Sequence, residues 1–582
     1  MNILAYSGAI GRDCNVGTGE LGWWNHGSSA TLICDGNYIG SVSEERFTRF
    51  KNEGNFPVHS IKHLLSSAGI GLDDINIVAF ATGASQPDAI LLKNNYFQDE
   101  LAKEFVNAEI VHVDHHLCHA ACTFFSSGFE SANVFTFDGA GDRHLLVGGH
   151  NTASFTNVEN GRWLNLLTGY QYPDRKNKFH NQFLLGEFYH MVAFWCWDMI
   201  KKEMFAHKKQ PRDTLDGKIM GLAAYGDAMK VAKHVSDPVS VSHVLPHFLP
   251  VITFCRETWS ECERHFKHTA ETIIRGGEGD YGPEDLAAWG QSIFENMVLS
   301  FLENIPEDYR LDNLCLSGGC ALNILANSKI AASGLYKNVY IHPAPGDEGL
   351  CFGAAMWVAN KLGIKVDLPH NIATVGPSYD DAHVEQVLAS NDEINYTRVE
   401  DSELFDTVSQ QLADNKIVAW HQGRSEYGPR ALGNRSILAN PTFDNKQLLN
   451  EKVKFREHWR PYAAIIMQDD VHDWVDLPRE TSEYMLFASE VKEDKRSLVP
   501  AITHADNSCR VQTVTPQLND KAYKLLQAFK QRTNIPMLLN TSFNTIPGEP
   551  IVETPYDAIK SFLYSDVDLL VINNFIVRKN GS

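Results

Sequence analysis

Two histidines stand four residues apart in His115-His116-Leu117-Cys118-His119. On a helix that spacing puts both imidazoles on one face. A carboxylate, Asp138, ends the apolar, strand-like run Val134-Phe135-Thr136-Phe137, where it can project from a sheet edge. Two nitrogens and an oxygen suit Fe(II), Zn or Mn and leave positions open for substrate. By itself the histidine pair is a weak signal, because a polar helix followed by a turn has the same residues. Asp347, in Pro345-Gly346-Asp347-Glu348-Gly349, is the best distant candidate to complete the metal set His115, His119, Asp138 and Asp347. Its place before a helix also suits an N-cap. The mixed donor set resembles a catalytic site more than a Cys-rich structural zinc site. Residue types do not choose between iron, zinc and manganese.

A second cluster lies far along the chain, from Trp420 through Gly428-Pro429-Arg430-Ala431-Leu432-Gly433-Asn434-Arg435-Ser436, with Lys454, Arg456 and Arg460 following. Arg430, Lys454 and Arg460 form a positive island in an acidic chain. A guanidinium binds phosphate oxygens in bidentate fashion, and lysine adds a mobile point charge. A solvated face with salt bridges is the plainer alternative, disfavoured by the interleaved Gly, Pro and aromatic residues. Arg510 is a further anion-binding candidate, and Ser542, in Asn540-Thr541-Ser542-Phe543-Asn544, can orient phosphates or cap a turn. His26 precedes the first hairpin, where an exposed imidazole can serve as a general base or simply bond within a turn. Gly318-Gly319 sits between a strand and a helix, where a nucleotide can approach backbone closely. Neither a GxSxG elbow nor a Walker A loop is present, which weakens hydrolase and P-loop ATPase assignments.

These residues need a scaffold. The 582 residues exceed one ordinary core, so two large domains are expected. The formal net charge of -21 argues against unspecific binding to nucleic acid or an anionic membrane. Eleven cysteines without a CxxC pair read as buried thiols in a reducing compartment. No signal peptide or apolar run of membrane-spanning length appears, so a cytoplasmic enzyme is expected.

Residues 2–7 read as a strand. Asp35-Gly36 joins two strand-like runs as a hairpin. Helices are predicted over 58–68, 98–105, 183–204, 284–304 and 349–361, with a strand at 109–113 delivering the histidine helix. A return strand is expected at Leu145-Leu146-Val147. Residues 232–281 read as an irregular insertion, 362–380 resembles a linker, and a second α/β unit starts near 381. The Gly turns of residues 1–360 are compatible with an actin-like duplicated fold.

Taken together, Asp35-Gly36 with Glu44-Glu45-Arg46-Phe47, the histidine helix, Asp138, Lys218 to Gly226, Ser317-Gly318-Gly319, the 423–436 block, Arg460-Pro461 and Asn540 to Asn544 resemble the O-carbamoyltransferases of nodulation and antibiotic biosynthesis. The resemblance implies an actin-like (ASKHA), duplicated, Kae1-like transfer domain over 1–365 and a linker at 366–380. A YrdC-like α/β domain would follow over 381–582. It implies that ATP and carbamoyl phosphate yield carbamoyl-adenylate, whose carbamoyl group passes to a hydroxyl of a small natural product or saccharide. Arg430, Lys454, Arg460, Arg510 and Ser542 would hold phosphates, with Lys454 and Arg460 taking part in catalysis and Mg accompanying ATP. His115, His119, Asp138 and Asp347 would hold Fe(II), Gly318, Gly319 and Asn323 would line the nucleotide pocket, and His26 would be the base. A homodimer without nucleic-acid or membrane partners is implied. Gly27 stands where the family often has an acidic residue, and the long 9–26 segment carries Trp23 and Trp24. A threonylcarbamoyl-tRNA enzyme, an actin-like small-molecule kinase and an ATP-binding scaffold are the competing classes.

Overall fold

The computed structural model describes residues 1–8, 26–81, 103, 105–139, 150–173, 179–181, 185–204, 216–232 and 281–581. Contacts among them divide the chain into two units. One is built from 1–83, 94–122 and 342–582, the other from 123–341. Both are α/β.

In the first unit, β1 (Asn2–Ser7), β2 (Ser29–Cys34), β3 (Asn37–Ser43), β4 (Ile77–Ala81) and β5 (Glu109–His112) form sheet A in the order β3-β2-β1-β4-β5. β1, β2 and β3 pair antiparallel, whereas β1, β4 and β5 pair parallel. Asp35 and Gly36 turn the hairpin with φ of 48° and 80°, the positive values that match strand twist. β1, over Ile3–Tyr6, and β4, throughout, carry unbroken apolar runs because both their faces are covered. The helix Leu350–Lys361 packs on β1, β2 and β4. Within it Gly353 meets the histidine helix, where a Cβ would come within 1.9 Å of the Cys118 carbonyl oxygen. Ser7 lies opposite both Ser29 and Ala81, and Phe80 opposite His112. The start of β2 and the ends of β1, β4 and β5 therefore share one edge.

In the second unit, β6 (Ser131–Phe137), β7 (His150–Glu159), β8 (Arg162–Pro173), β9 (Phe179–Asn181), β10 (Asn313–Ser317) and β11 (Asn338–Ile341) form sheet B in the order β11-β10-β6-β7-β8-β9. β6, β7 and β8 are antiparallel, and β10 and β11 continue parallel to β6. This is the order of connection found in sheet A, with β9 added. Phe135 stacks on Phe301 of the helix Pro283–Glu303 at 4.8 Å, in the core of this unit.

The remaining strands, in the first unit, are β12 (Ile394–Arg398), β13 (Val418–His421), β14 (Arg435–Ala439), β15 (Ala463–Met467), β16 (Val475–Asp476), β17 (Ala488–Val491), β18 (Ser508–Val514), β19 (Met537–Ser542), β20 (Leu569–Ile572) and β21 (Phe575–Lys579). They form sheet C in the order β12-β21-β20-β13-β14-β19-β15-β18-β17-β16. Ile372, Ala373 and Val375 of the expected linker are buried, and the Ala373 carbonyl accepts from the Tyr427 amide at 2.7 Å.

The helices expected at 58–68, 284–304 and 349–361 form as Val58–Ala68, Pro283–Glu303 and Leu350–Lys361. The described part of the helix expected over 183–204 runs Leu185–Met204. Trp23, Trp24, the return strand expected at 145–147, most of the 98–105 helix and nearly all of the 232–281 segment lie outside the described residues. No helix among the described residues is long and apolar enough to cross a membrane.

Candidate active site

The histidine helix, His115–Ser127, starts where Asp114 Oδ1 accepts from the Leu117 amide at 3.0 Å. This turn follows β5 directly, so His115 emerges at the sheet A edge. His115 and His119 are fully buried, as their i, i+4 spacing on a core-facing helix requires. Their Nε2 atoms lie 3.1 Å apart. Asp347 Oδ1 stands 3.6 Å from His115 Nε2 and 3.5 Å from His119 Nε2. Two ligands bound about 2.0–2.1 Å from one ion stand about 3.0–3.4 Å apart. The convergence of two imidazoles and a buried carboxylate therefore fits a divalent transition metal. Gly349, not Asp347, is the N-cap of the helix Leu350–Lys361.

The Asp347 loop is held by two hydroxyls and an imidazole. Ser29 Oγ donates to the Glu348 carbonyl at 2.7 Å, and the Tyr427 hydroxyl donates to that same carbonyl. His342 accepts from the Ala344 amide at 3.0 Å, and burial pushes its imidazole down to about 3, so it stays neutral. Burial, then the charge of Asp347, pushes the Glu348 carboxyl up. His26 Nδ1 lies 3.5 Å from Asp347 Oδ2 with the His26 side chain 55% exposed. The accessible imidazole thus borders the buried ligands. Gly27 makes this approach possible. Its φ is +71°, and a Cβ there would sit 2.7 Å from the Glu348 amide nitrogen and 2.8 Å from Asp347 Cβ. An acidic side chain has no room at this position.

In the second unit Asp138 follows β6, as expected, and its Oδ1 accepts from the amides of Gly139 at 2.8 Å and Gly319 at 3.1 Å. Gly318 has φ of +91° and runs against Phe137, whose carbonyl oxygen would be 2.3 Å from an added Cβ. The two glycines therefore let the turn after β10 close on the carboxylate. Asn323 is the N-cap of the helix Ile324–Ala332, accepting from the Ala326 amide at 3.1 Å, and its Nδ2 donates to Gln291.

Sheet C gathers the second cluster at one end. Arg430 precedes β14, Lys454 and Arg460 precede β15, Arg510 lies near the start of β18, and Ser542 ends β19. The register aligns them, with Ala463 opposite both Arg510 and Asn540, and Ser436 opposite Ser542. Lys454 Nζ donates to the Ser542 carbonyl at 2.6 Å, Ser542 Oγ at 3.1 Å and Asn544 Oδ1 at 2.6 Å. Burial, then Arg456 and Arg460, pushes its ammonium well down. Burial, then Arg430, Arg456 and Arg460, does the same to Arg510. Burial takes Arg430 to about 10, and burial with Arg456 takes Arg460 to about 10. The buried Nε–H groups of Arg430 and Arg510 have no hydrogen-bond partner among the described residues. Clustered like charges with open donors have the chemistry that a polyanion would satisfy.

Arg435, from the same motif as Arg430, has a different task. It is fully buried, donates to the Gln422 carbonyl at 2.7 Å and stands 3.4 Å from Glu553. Glu426 shapes the turn between them by accepting from the amides of Leu432, Asn434 and Arg435 at 2.7, 2.9 and 3.0 Å. Arg456 joins the cationic cluster, stacked 4.3 Å above the Tyr462 ring. Its place just after Lys454 was the available signal for it. The contributions of Glu348, Glu426 and Tyr427 had no local signal.

The carbamoyltransferase N-terminus family matches residues 88–356, and the carbamoyltransferase C-terminus family matches residues 409–579. Nodulation protein NolNO of Sinorhizobium fredii is 31% identical, over 95% of this chain and 79% of its own. An uncharacterized protein of Methanocaldococcus jannaschii is 30% identical, over 95% of this chain and 98% of its own. Nodulation protein U of Azorhizobium caulinodans is 41% identical over 40% of each chain. The chain belongs to the carbamoyltransferase family, as a relative of the nodulation carbamoyltransferases.

Proposed function

We propose that this protein is an ATP-dependent O-carbamoyltransferase with two linked sites. The observation that carries the reading is the Arg430, Arg456, Arg460 and Arg510 cluster with Lys454 and Ser542 at one end of sheet C. It sits in the same unit as the His115, His119 and Asp347 donor set. In this reading 381–582 is a YrdC-like domain, and 1–365 is a duplicated actin-like domain. The shared strand order of sheets A and B supports the latter.

At the cationic cluster, water hydrolyses carbamoyl phosphate, so that the bond between the carbamate and phosphate groups breaks, phosphate leaves and carbamate stays bound. A carbamate oxygen attacks the α-phosphorus of Mg-bound ATP. The bond to the β-phosphate oxygen breaks, giving carbamoyl-adenylate and pyrophosphate. Arg430, Arg460 and Arg510 neutralise the growing charge, and Lys454 with Ser542 fixes its position.

The carbamoyl group then passes to an acceptor hydroxyl. His26 takes the hydroxyl proton, the oxygen attacks the carbamoyl carbon, and AMP departs with the oxygen that joined it to that carbon. His115, His119 and Asp347 would hold the metal, and in the second unit Gly318, Gly319 and Asn323 would border a nucleotide. The bound metal, Fe(II) with Zn or Mn as alternatives, supplies Lewis-acid charge for the adenylate. A small hydroxyl compound suits the acid surface better than a nucleic acid.

The test is incubation of the metal-loaded protein with ATP, Mg and carbamoyl phosphate, followed by quantifying pyrophosphate and phosphate. Release of both, dependent on carbamoyl phosphate, is expected. No release, with or without hydroxyl acceptors, overturns adenylate formation. ADP with a phosphorylated product would instead identify a kinase.

A further inference from the structure

The segment Glu44-Glu45-Arg46-Phe47 leaves β3 and forms the helical turn Glu45–Thr48. Its side chains reach in two directions. Glu44 is buried and grips the N-terminus of the helix Val58–Ala68, accepting from the amides of His59 at 3.0 Å and Ser60 at 2.8 Å. That fixes the turn on sheet A. Arg46, also buried, donates through Nη2 to the Gly428 carbonyl at 2.8 Å, two residues before Arg430. Arg49 donates to the carbonyls of Ile551 at 2.7 Å and Pro550 at 2.9 Å. It also lies 3.4 Å from Glu549 Oε2 and 3.6 Å from Asp557 Oδ1.

From Arg49 a continuous set of contacts runs to the phosphate cluster. Asn544 Nδ2 donates to the Glu549 carbonyl at 2.9 Å. Its Oδ1 accepts from Ser542 Oγ at 2.7 Å and from Lys454 Nζ at 2.6 Å. One short turn after β3 thus holds both loops that carry anion-binding groups.

We propose that Arg46 and Arg49 are positioning residues for the phosphate cluster, setting the 428–430 and 542–551 loops in the geometry that receives a polyphosphate. The guanidinium is suited to this work, because its planar fork bonds several carbonyls in fixed directions and lysine does not. Neither residue needs to touch the ligand. The proposal rests on the phosphate-binding reading of the cluster but not on the identity of the reaction.

The test titrates inorganic pyrophosphate into the full-length wild type, Arg49→Met, Arg49→Lys and Arg46→Lys by calorimetry. Amide hydrogen exchange is read over 424–436 and 540–552, and the KM for carbamoyl phosphate is compared with kcat. A displaced loop costs about 10- to 100-fold in pyrophosphate affinity. A loss in that range is expected for Arg49→Met, with faster exchange in 540–552 and a raised KM. Arg49→Lys, which keeps charge but not the fork, recovers only part of the affinity and remains informative if Arg49→Met does not fold. Arg46→Lys moves exchange in 424–436. Unchanged pyrophosphate affinity and KM in folded variants overturn the proposal and leave the arginines a merely structural role. Wild type that binds pyrophosphate but releases none from ATP refutes adenylation alone, and the variants' binding still judges the positioning. Wild type that binds no pyrophosphate overturns both.

Discussion

Among single residues, Asp347 makes the sharpest demand. Its carboxylate stands about equally far from two buried imidazole nitrogens, so one oxygen serves both directions. Asp347→Asn keeps the shape and removes the charge. Metal affinity, followed as metal content by mass spectrometry after dialysis, is expected to fall by at least about 100-fold, more than the loss of a residue that only orients a ligand. Retention of stoichiometric metal would refute the assignment of Asp347 as a ligand. Lys454 allows a pH test. Burial lowers its folded-state pKa, while an unfolded lysine titrates near about 10.4. Between those values the unfolded chain holds more protons, so stability rises with pH across that window and the penalty is largest below it. Lys454→Met removes this contribution. Urea midpoints of the ligand-free protein should therefore rise less steeply with alkaline pH in the variant; equal slopes would contradict a buried, depressed ammonium.

Elements matter through the loops they present. The edge shared by β1, β2, β4 and β5 puts His26 and His115 where the Asp347 loop can meet them. Gly27 is the tightest point of that meeting. Gly27→Ala forces a left-handed φ on a residue with a Cβ and drives it into the Glu348 amide. The expected cost is about 1–3 kcal/mol in chemical denaturation. Weaker metal binding should accompany it, since the strain is relieved by moving Asp347. A stability loss with full metal affinity would mean that the loop yields elsewhere.

On the scale of the whole molecule, both proposed sites draw together distant parts of the chain. Each ligand should therefore stabilise the fold by mass action. At 100 times its Kd, a ligand specific for the native state adds about 2.7 kcal/mol. Thermal unfolding is expected to shift upward with pyrophosphate, and upward again when the metal is restored to chelator-treated protein. If neither addition moves the transition, these side chains do not form ligand sites in solution.

Much of the architecture was legible in the chain because its signals are local. Asp35-Gly36 announced a hairpin, the apolar period marked Val58–Ala68, and i, i+4 spacing put two imidazoles on one face of a helix. Strand, glycine and helix were visible from Asn313 to Ala332. Such features depend on neighbouring residues and on periods of two or 3.6. The difference between Arg430 and Arg435 was not visible. They share a motif and a charge, yet one keeps an open donor and the other is spent on buried carbonyls and Glu553. Nor did the sequence disclose that Arg46 and Arg49 would reach Gly428 and Ile551, or that Gly27 would press on Asp347. The residue types at both sites and the local elements that present them were determined by the sequence alone. Which cations stay available, and which residues hold their loops, only the tertiary structure decided, because contacts between distant segments depend on how the sheets and helices pack, which no local period records.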